Sequence, residues 1–120
     1  MQKRGMPEEI IAWYGHYLKN RIATATLAGE IVIRQIVSGT PQGGVLSPMI
    51  WNVVFETLLQ RLDKHTDATG FADDGHMLAS GFSSKECARR LQLSLNAAMK
   101  WGRENGLEFA PEKTVMVQFA

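Results

Sequence analysis

Thr66-Asp67-Ala68-Thr69-Gly70-Phe71-Ala72-Asp73-Asp74-Gly75-His76-Met77-Leu78-Ala79-Ser80 is the stretch on which the fold of this chain turns. A short apolar run, an acidic turn at Asp73-Asp74-Gly75 and a second run through Met77-Leu78-Ala79 predict a β-hairpin with carboxylates at its tip. Adjacent carboxylates held at a strand end after the apolar Phe71-Ala72 can ligate a hard cation. Mg²⁺ takes oxygen donors in octahedral geometry, commonly one or two carboxylates completed by phosphates and water. Asp-Asp-Gly is equally a solvated turn, and spacing alone leaves both readings open.

Upstream, Pro7-Glu8-Glu9 opens a helix that carries Ile10, Ile11, Trp13, Tyr14 and Leu18 and ends near Asn20. Proline and acids suit a helix N-terminus, where N–H groups lack acceptors. From Arg21 the pattern turns to β-branched alternation. Ile22, Thr24 and Thr26, then Gly29-Glu30, then Ile31, Ile33, Ile36 and Val37 predict two strands joined by a glycine-containing turn. Ser38 to Gly44 breaks regular structure, and Ser47-Pro48 starts a second helix as cap and first residue, running to Leu62. Downstream, Ser83 and Glu86 form a capping box for a third helix that ends at Asn105-Gly106. Pro111-Glu112-Lys113 makes a turn and Thr114 to Phe119 alternates as a last strand. The class is α+β: a mostly antiparallel sheet packed on about three helices, in one domain spanning residues 1–120.

Composition narrows the function less than the motifs do. With 45% hydrophobic and 21% charged residues, disordered and fibrous classes are excluded. Thirteen basic residues against 12 acidic give a net charge of +1, so any nucleic-acid partner must be argued from a site. The basic residues Lys19, Arg21, Arg89, Arg90, Lys100 and Arg103 are dispersed and read as solvated faces. Cys87 is the only cysteine, which removes an internal disulfide and a cysteine zinc site; it reads as a small apolar helix residue with no disulfide-linked partner. No apolar run approaches the ~20 residues of a membrane span, and the start lacks a signal-peptide core. The expectation is an intracellular protein without a membrane partner, with nucleus and cytoplasm both open. His16, His65 and His76 have no second histidine at ligand spacing and receive no metal role. Trp13, Trp51 and Trp101 sit at apolar helical positions and are expected in the core rather than as base-stacking platforms.

The second informative stretch is Gly39-Thr40-Pro41-Gln42-Gly43-Gly44-Val45-Leu46-Ser47-Pro48. Glycines let a ligand approach the backbone, and the helix behind offers free N–H groups. No Gly-Lys-Ser/Thr closes the loop, so it is not a P-loop; by itself it is also an ordinary connector. Followed by Phe71-Ala72-Asp73-Asp74, however, this loop resembles motif B and the aspartates motif C of reverse transcriptases. The non-LTR retrotransposon (LINE-like) enzymes are most similar, with group II intron maturases more distant. Trp51-Asn52 after Ser-Pro fits the retrotransposon side. The resemblance covers nearly the whole chain: Pro7 to Arg21 looks like the helix between motifs A and B, and Trp101, Asn105-Gly106-Leu107 and Pro111-Glu112-Lys113-Thr114 look like motif D. Phe71 stands where many relatives have tyrosine.

The resemblance implies a partial polymerase palm carrying motifs B, C and D, with motif A, most of the fingers and the thumb absent. It implies RNA-directed DNA polymerase chemistry with an RNA template, a DNA primer and dNTP. Asp73 and Asp74 would be the catalytic carboxylates and hold two Mg²⁺ ions, or Mn²⁺ in their place. Thr40, Pro41, Gln42, Gly43 and Gly44 would shape the nucleotide and template pocket, and Phe71 and Ala72 would back the primer end. Lys113 would sit on the pyrophosphate side, although a surface lysine in a turn fits it as well. The family's third metal ligand, a motif A aspartate, belongs before the first helix. Residues 1–6 contain no aspartate, so it is expected upstream of Met1 and the isolated chain is expected to be inactive. The alternative is a non-catalytic remnant or domesticated module that binds nucleic acid or protein.

Overall fold

The computed structural model describes residues 5–119. In chain order these form α1 (Glu8–Leu18), β1 (Ile22–Leu27), β2 (Glu30–Gln35), α2 (Ser47–Leu62), β3 (Asp67–Phe71), β4 (Asp74–Leu78), α3 (Ser84–Asn105) and a 3₁₀ turn, Pro111–Lys113. The mixed helix-and-strand class holds. The chain divides into two compact units whose boundary, between Val53 and Val54, falls inside α2. Residues 1–4 and 120 of the expected domain lie outside the described residues.

In the first unit, α1 begins where the Pro7 carbonyl accepts the amides of Ile10 and Ile11 at 3.1 and 3.2 Å. Glu8 and Glu9 occupy its positive first turn. Its buried aromatic is Tyr14. Trp13, expected in the core, is 56% exposed and stacks on Tyr17 with ring centres 5.5 Å apart. Adjacent residues on a helix diverge by about 100°, so burying Tyr14 turns Trp13 outward. β1 and β2 pair antiparallel, with Thr24 opposite Ile33 and Ala25 opposite Val32. Both central turn residues have positive φ, Ala28 at 51° and Gly29 at 85°. That conformation twists in the sense the strands require.

The second unit is organised by α3 and the last turns of α2. Phe55, Leu58, Leu62, Ala98 and Trp101 form its buried apolar set, and the Trp101 indole N–H donates to Thr57 Oγ1 at 2.8 Å. Ser83 caps α3 as expected, its hydroxyl accepting the Glu86 amide at 3.2 Å, and Gly106 ends the helix at φ 65°. The chain then folds back over the last turn of α3. A Cβ on buried Gly102 would stand 2.8 Å from the Leu107 carbonyl and 3.0 Å from the Phe109 ring, so only glycine fits there. No helix among the described residues is long and apolar enough to cross a membrane.

Three expectations are corrected. The expected single antiparallel sheet is two separate two-stranded hairpins, β1–β2 and β3–β4. Alternation predicts extended backbone but says nothing about which strand supplies the hydrogen-bond partners. For the same reason Thr114 to Phe119 is not a strand; its apolar side chains Val115, Met116, Val117 and Phe119 are exposed, and Gln118 hooks to Ser84 Oγ at 3.0 Å. Finally, Ser47 is the first residue of α2 rather than its cap. Its hydroxyl turns back to the Pro41 carbonyl at 2.7 Å.

Candidate active site

The hairpin carrying the aspartates is paired from Asp67 opposite Leu78 to Phe71 opposite Asp74. Its turn is therefore Ala72-Asp73, one residue earlier than the sequence pattern suggests, and Asp74 and Gly75 already belong to β4. Ala72 adopts φ 52°, a left-handed conformation that costs a non-glycine residue about 1–2 kcal/mol. Asp73 sits on the turn and Asp74 opens the strand. Both are exposed, and among the described residues neither carboxylate is engaged in a hydrogen bond or ion pair. Phe71 beside them is 83% exposed.

Local propensity does not explain this hairpin. Its strands, Asp67–Phe71 and Asp74–Leu78, contain two glycines and two aspartates, residues that strands disfavour. The reason for the glycines lies beneath them. Gly70 and Gly75 are cross-strand partners, and the ring of buried Phe55, from α2, lies against both. A Cβ on Gly70 would overlap Phe55 Cε1, and one on Gly75 would touch Cζ at 3.8 Å. The hairpin thus rests on an aromatic ring that a larger residue at 70 would displace.

Its base is held by side chains that sequence reasoning passed over. The Asp63 carboxylate accepts the Ala68 amide of β3 at 3.1 Å. The Arg90 guanidinium of α3, expected to be a solvated charge, donates to the Ser80 carbonyl just past β4 at 2.6 Å. Between them lies a cavity of about 140 Å³ lined by Asp63, His65, Thr66, Asp67, Ser80 and Arg90. Deeper, the Leu62 carbonyl at the end of α2 accepts the amides of His65 and Thr66 at 2.9 and 3.1 Å. The hydroxyls of Thr66 and fully buried Ser94 lie 2.8 Å apart, and both reach the same carbonyl, at 3.3 and 3.4 Å. This polar knot sets where α2 stops and β3 starts. The sequence hints at the packing of Phe55 under the hairpin through the pair of glycines placed symmetrically about Phe71 and Asp74, a mark of close approach in strands, and carries no such mark of the polar knot.

The loop Thr40 to Gly44 belongs to the first unit, whereas the aspartates and Lys113 belong to the second. Gly39 and Gly43 have φ of 82° and 77°. The Arg21 guanidinium donates to the Gly39 carbonyl at 3.3 Å, tying the loop to the start of β1. Two successive turns follow, Gly44 N to Pro41 O at 3.3 Å and Ser47 N to Gly44 O at 3.1 Å. A Cβ on Gly44 would stand 2.6 Å from Ser47 Oγ, so Gly44 and Ser47 are matched. Thr40 and Pro41 are half-buried, and Gln42 and Gly43 are exposed at the loop's tip. Lys113 closes the 3₁₀ turn, exposed, and makes no hydrogen bond or ion pair with either aspartate. Among the described residues no three His, Cys, Asp or Glu side chains gather as a metal set.

The family model for reverse transcriptase (RNA-dependent DNA polymerase) matches residues 1–119. The chain belongs to the reverse transcriptase family. It is similar to the 115 kDa protein of the type-1 retrotransposable element R1DM of Drosophila melanogaster, 27% identical over 91% of this chain and 11% of that protein. It is also similar to two Nasonia vitripennis Pol polyproteins. That of the type-1 element R1 is 34% identical over 66% of the chain and 24% of the polyprotein. That of R2 is 30% identical over 94% of the chain and 11% of the polyprotein. These relatives make it a reverse transcriptase domain of the non-LTR retrotransposon kind. The chain spans between about a tenth and a quarter of the length of these relatives. No solved structure matches it.

Proposed function

We propose that this reverse transcriptase chain is the part of a polymerase palm, residues 1–120, that brings the motif B loop and the motif C carboxylates to RNA-directed DNA synthesis. The observation that carries the reading is the pair Asp73-Asp74. Both carboxylates are exposed and, among the described residues, unengaged at the tip of a hairpin whose base is anchored by Asp63 and Arg90. Hard oxygen donors with open lone pairs fit Mg²⁺, and two carboxylates leave room in an octahedral shell for phosphate oxygens and water. When bound, a pair of such ions stabilises the attacking and leaving oxygens of an in-line displacement. In that displacement a primer 3′-hydroxyl attacks the α-phosphate of a template-paired dNTP and pyrophosphate leaves.

Each residue then has a part. Asp73 ligates directly, and Asp74 completes or supports the ligation. Gln42 and Gly43 meet the nucleotide and template at the loop tip; Thr40, Pro41 and Gly44 hold that tip in shape. Phe71 and Ala72 back the primer end, and Lys113 offers charge or a proton on the pyrophosphate side. Two carboxylates from one hairpin do not fix two cations, so the reading requires a third carboxylate. The 120 residues alone are expected to extend no primer.

The test is primer extension on an RNA template by the chain lengthened upstream through an aspartate-bearing strand. Asp73→Asn should cost orders of magnitude, because charge neutralisation and positioning supply most of the catalysis in phosphoryl transfer. Undiminished extension by the Asn variant would refute the role of Asp73, and incorporation by the 120-residue chain would refute the need for the third carboxylate.

A further inference from the structure

The contact between Phe55 and Gly70 has no counterpart in the chemistry above, and it lies one residue from the catalytic hairpin's last pair. Phe55 is buried, Gly70 faces Gly75 across the hairpin, and the ring fills the space that a side chain at 70 would occupy while lying within van der Waals reach of position 75. We infer that Phe55 and Gly70 are a matched positioning pair: the ring is the seat that sets the height of the β3–β4 tip, and hence where Asp73 and Asp74 present their oxygens. The inference rests on the metal-binding reading of those aspartates.

Three facts favour a seat over simple core filling. The strands have little propensity of their own, so their placement must come from what they rest on. Gly70 does not have positive φ, so glycine is required there for space and not for backbone conformation. The polar tethers at Ala68 and Ser80 hold the base of the hairpin, whereas Phe55 bears on the Gly70–Gly75 pair, next to the tip.

The atoms dictate the experiment. A Cβ at 70 collides with Cε1 and Cζ of Phe55, the ring atoms that a leucine lacks. Gly70→Ala, Phe55→Leu and the double variant are compared in the 120-residue chain by amide hydrogen exchange and by Mn²⁺ relaxation of the resonances of Asp73 and Asp74. With α3 protection as the fold control, Gly70→Ala should speed exchange in β3 and β4 at least tenfold and weaken the Mn²⁺ effect. Adding Phe55→Leu should recover most of both. The pair is refuted if Gly70→Ala changes neither readout or if the double variant is no better than Gly70→Ala alone. Should α3 also lose protection in Gly70→Ala, recovery in the double variant still decides the matter. If Mn²⁺ leaves Asp73 and Asp74 of the parent untouched, the two carboxylates do not hold a cation without a third, and the exchange data alone judge the seat.

Discussion

The two hairpins of this protein have the same outline and opposite origins. Each closes on a two-residue turn whose first residue is an alanine with positive φ, Ala28 at 51° and Ala72 at 52°. The first continues with Gly29 at φ 85° and joins strands rich in isoleucine, valine and threonine. Its alternation and turn chemistry specify it locally. The second continues with Asp73 and joins strands interrupted by Gly70 and Gly75. It exists because Phe55 fills the gap under the glycines, Asp63 and Arg90 hold the base, and the Leu62–Thr66–Ser94 knot fixes its start. A hairpin built from its own residues has local placement; one built on its neighbours is placed where they put it. The second kind suits the metal-binding role proposed for its carboxylates.

That contrast can be broken most forcefully at Trp101. Trp101→Ala removes an indole only 2% exposed, a change that costs about 3–5 kcal/mol. Hydrogen exchange should then show β3 and β4 opening together with α3, and comparable loss in β1 and β2 would contradict the separate origins. A smaller blow falls on the knot: Thr66→Val keeps the shape but takes a hydrogen-bond partner from buried Ser94, at about 1–3 kcal/mol. Urea denaturation should show it, with the exchange gain concentrated in β3.

At the turns the two hairpins should differ in sign. Gly29→Ala puts a Cβ on a residue at φ 85° and should destabilise β1–β2 by about 1–2 kcal/mol, read from β1 and β2 amide protection. Ala72→Gly relieves the same kind of strain at φ 52°. Set against the extra freedom of glycine in the unfolded chain, the net gain should be about 0.5 kcal/mol. A loss there would mean that the hairpin depends on Ala72 for more than its backbone. Smallest is the bridge between Arg61 and Glu104, 2.7 Å with both side chains well exposed. Glu104→Gln should change the unfolding free energy by only about 0.2–0.3 kcal/mol, and less in salt.

Much of the chain is legible in its sequence, for reasons tied to particular residues. Ser83, Glu86 and Gly106 state the ends of α3 in a chemistry that acts within one helical turn. Ile22 to Val37 alternates with the two-residue period of a strand, and the turn falls at its glycine. The turn at Ala72-Asp73 falls one residue before the one the sequence predicts, because Asp-Asp-Gly is the better turn sequence; the register is set by Gly75 lying opposite Gly70 over Phe55, a contact across about 15–20 positions that no local pattern encodes. Arg90 looked like a surface charge for the same reason, since its acceptor is a backbone carbonyl on another element.

What the sequence by itself determined is the set of chemical groups and their local frames: three helices, two turn-closed strand pairs, a glycine loop before a helix, and adjacent aspartates in the order that carries the family resemblance. Such signals work over a few residues, where dihedral preference and hydrogen-bond supply decide. Only the tertiary structure decided that the two strand pairs do not join into one sheet, that Thr114 to Phe119 joins neither, and that the hairpin of the acidic turn is seated on Phe55 and pinned by Asp63 and Arg90. Those outcomes depend on which groups meet at a distance, and excluded volume and the pairing of buried polar atoms settle that only when the whole chain has folded.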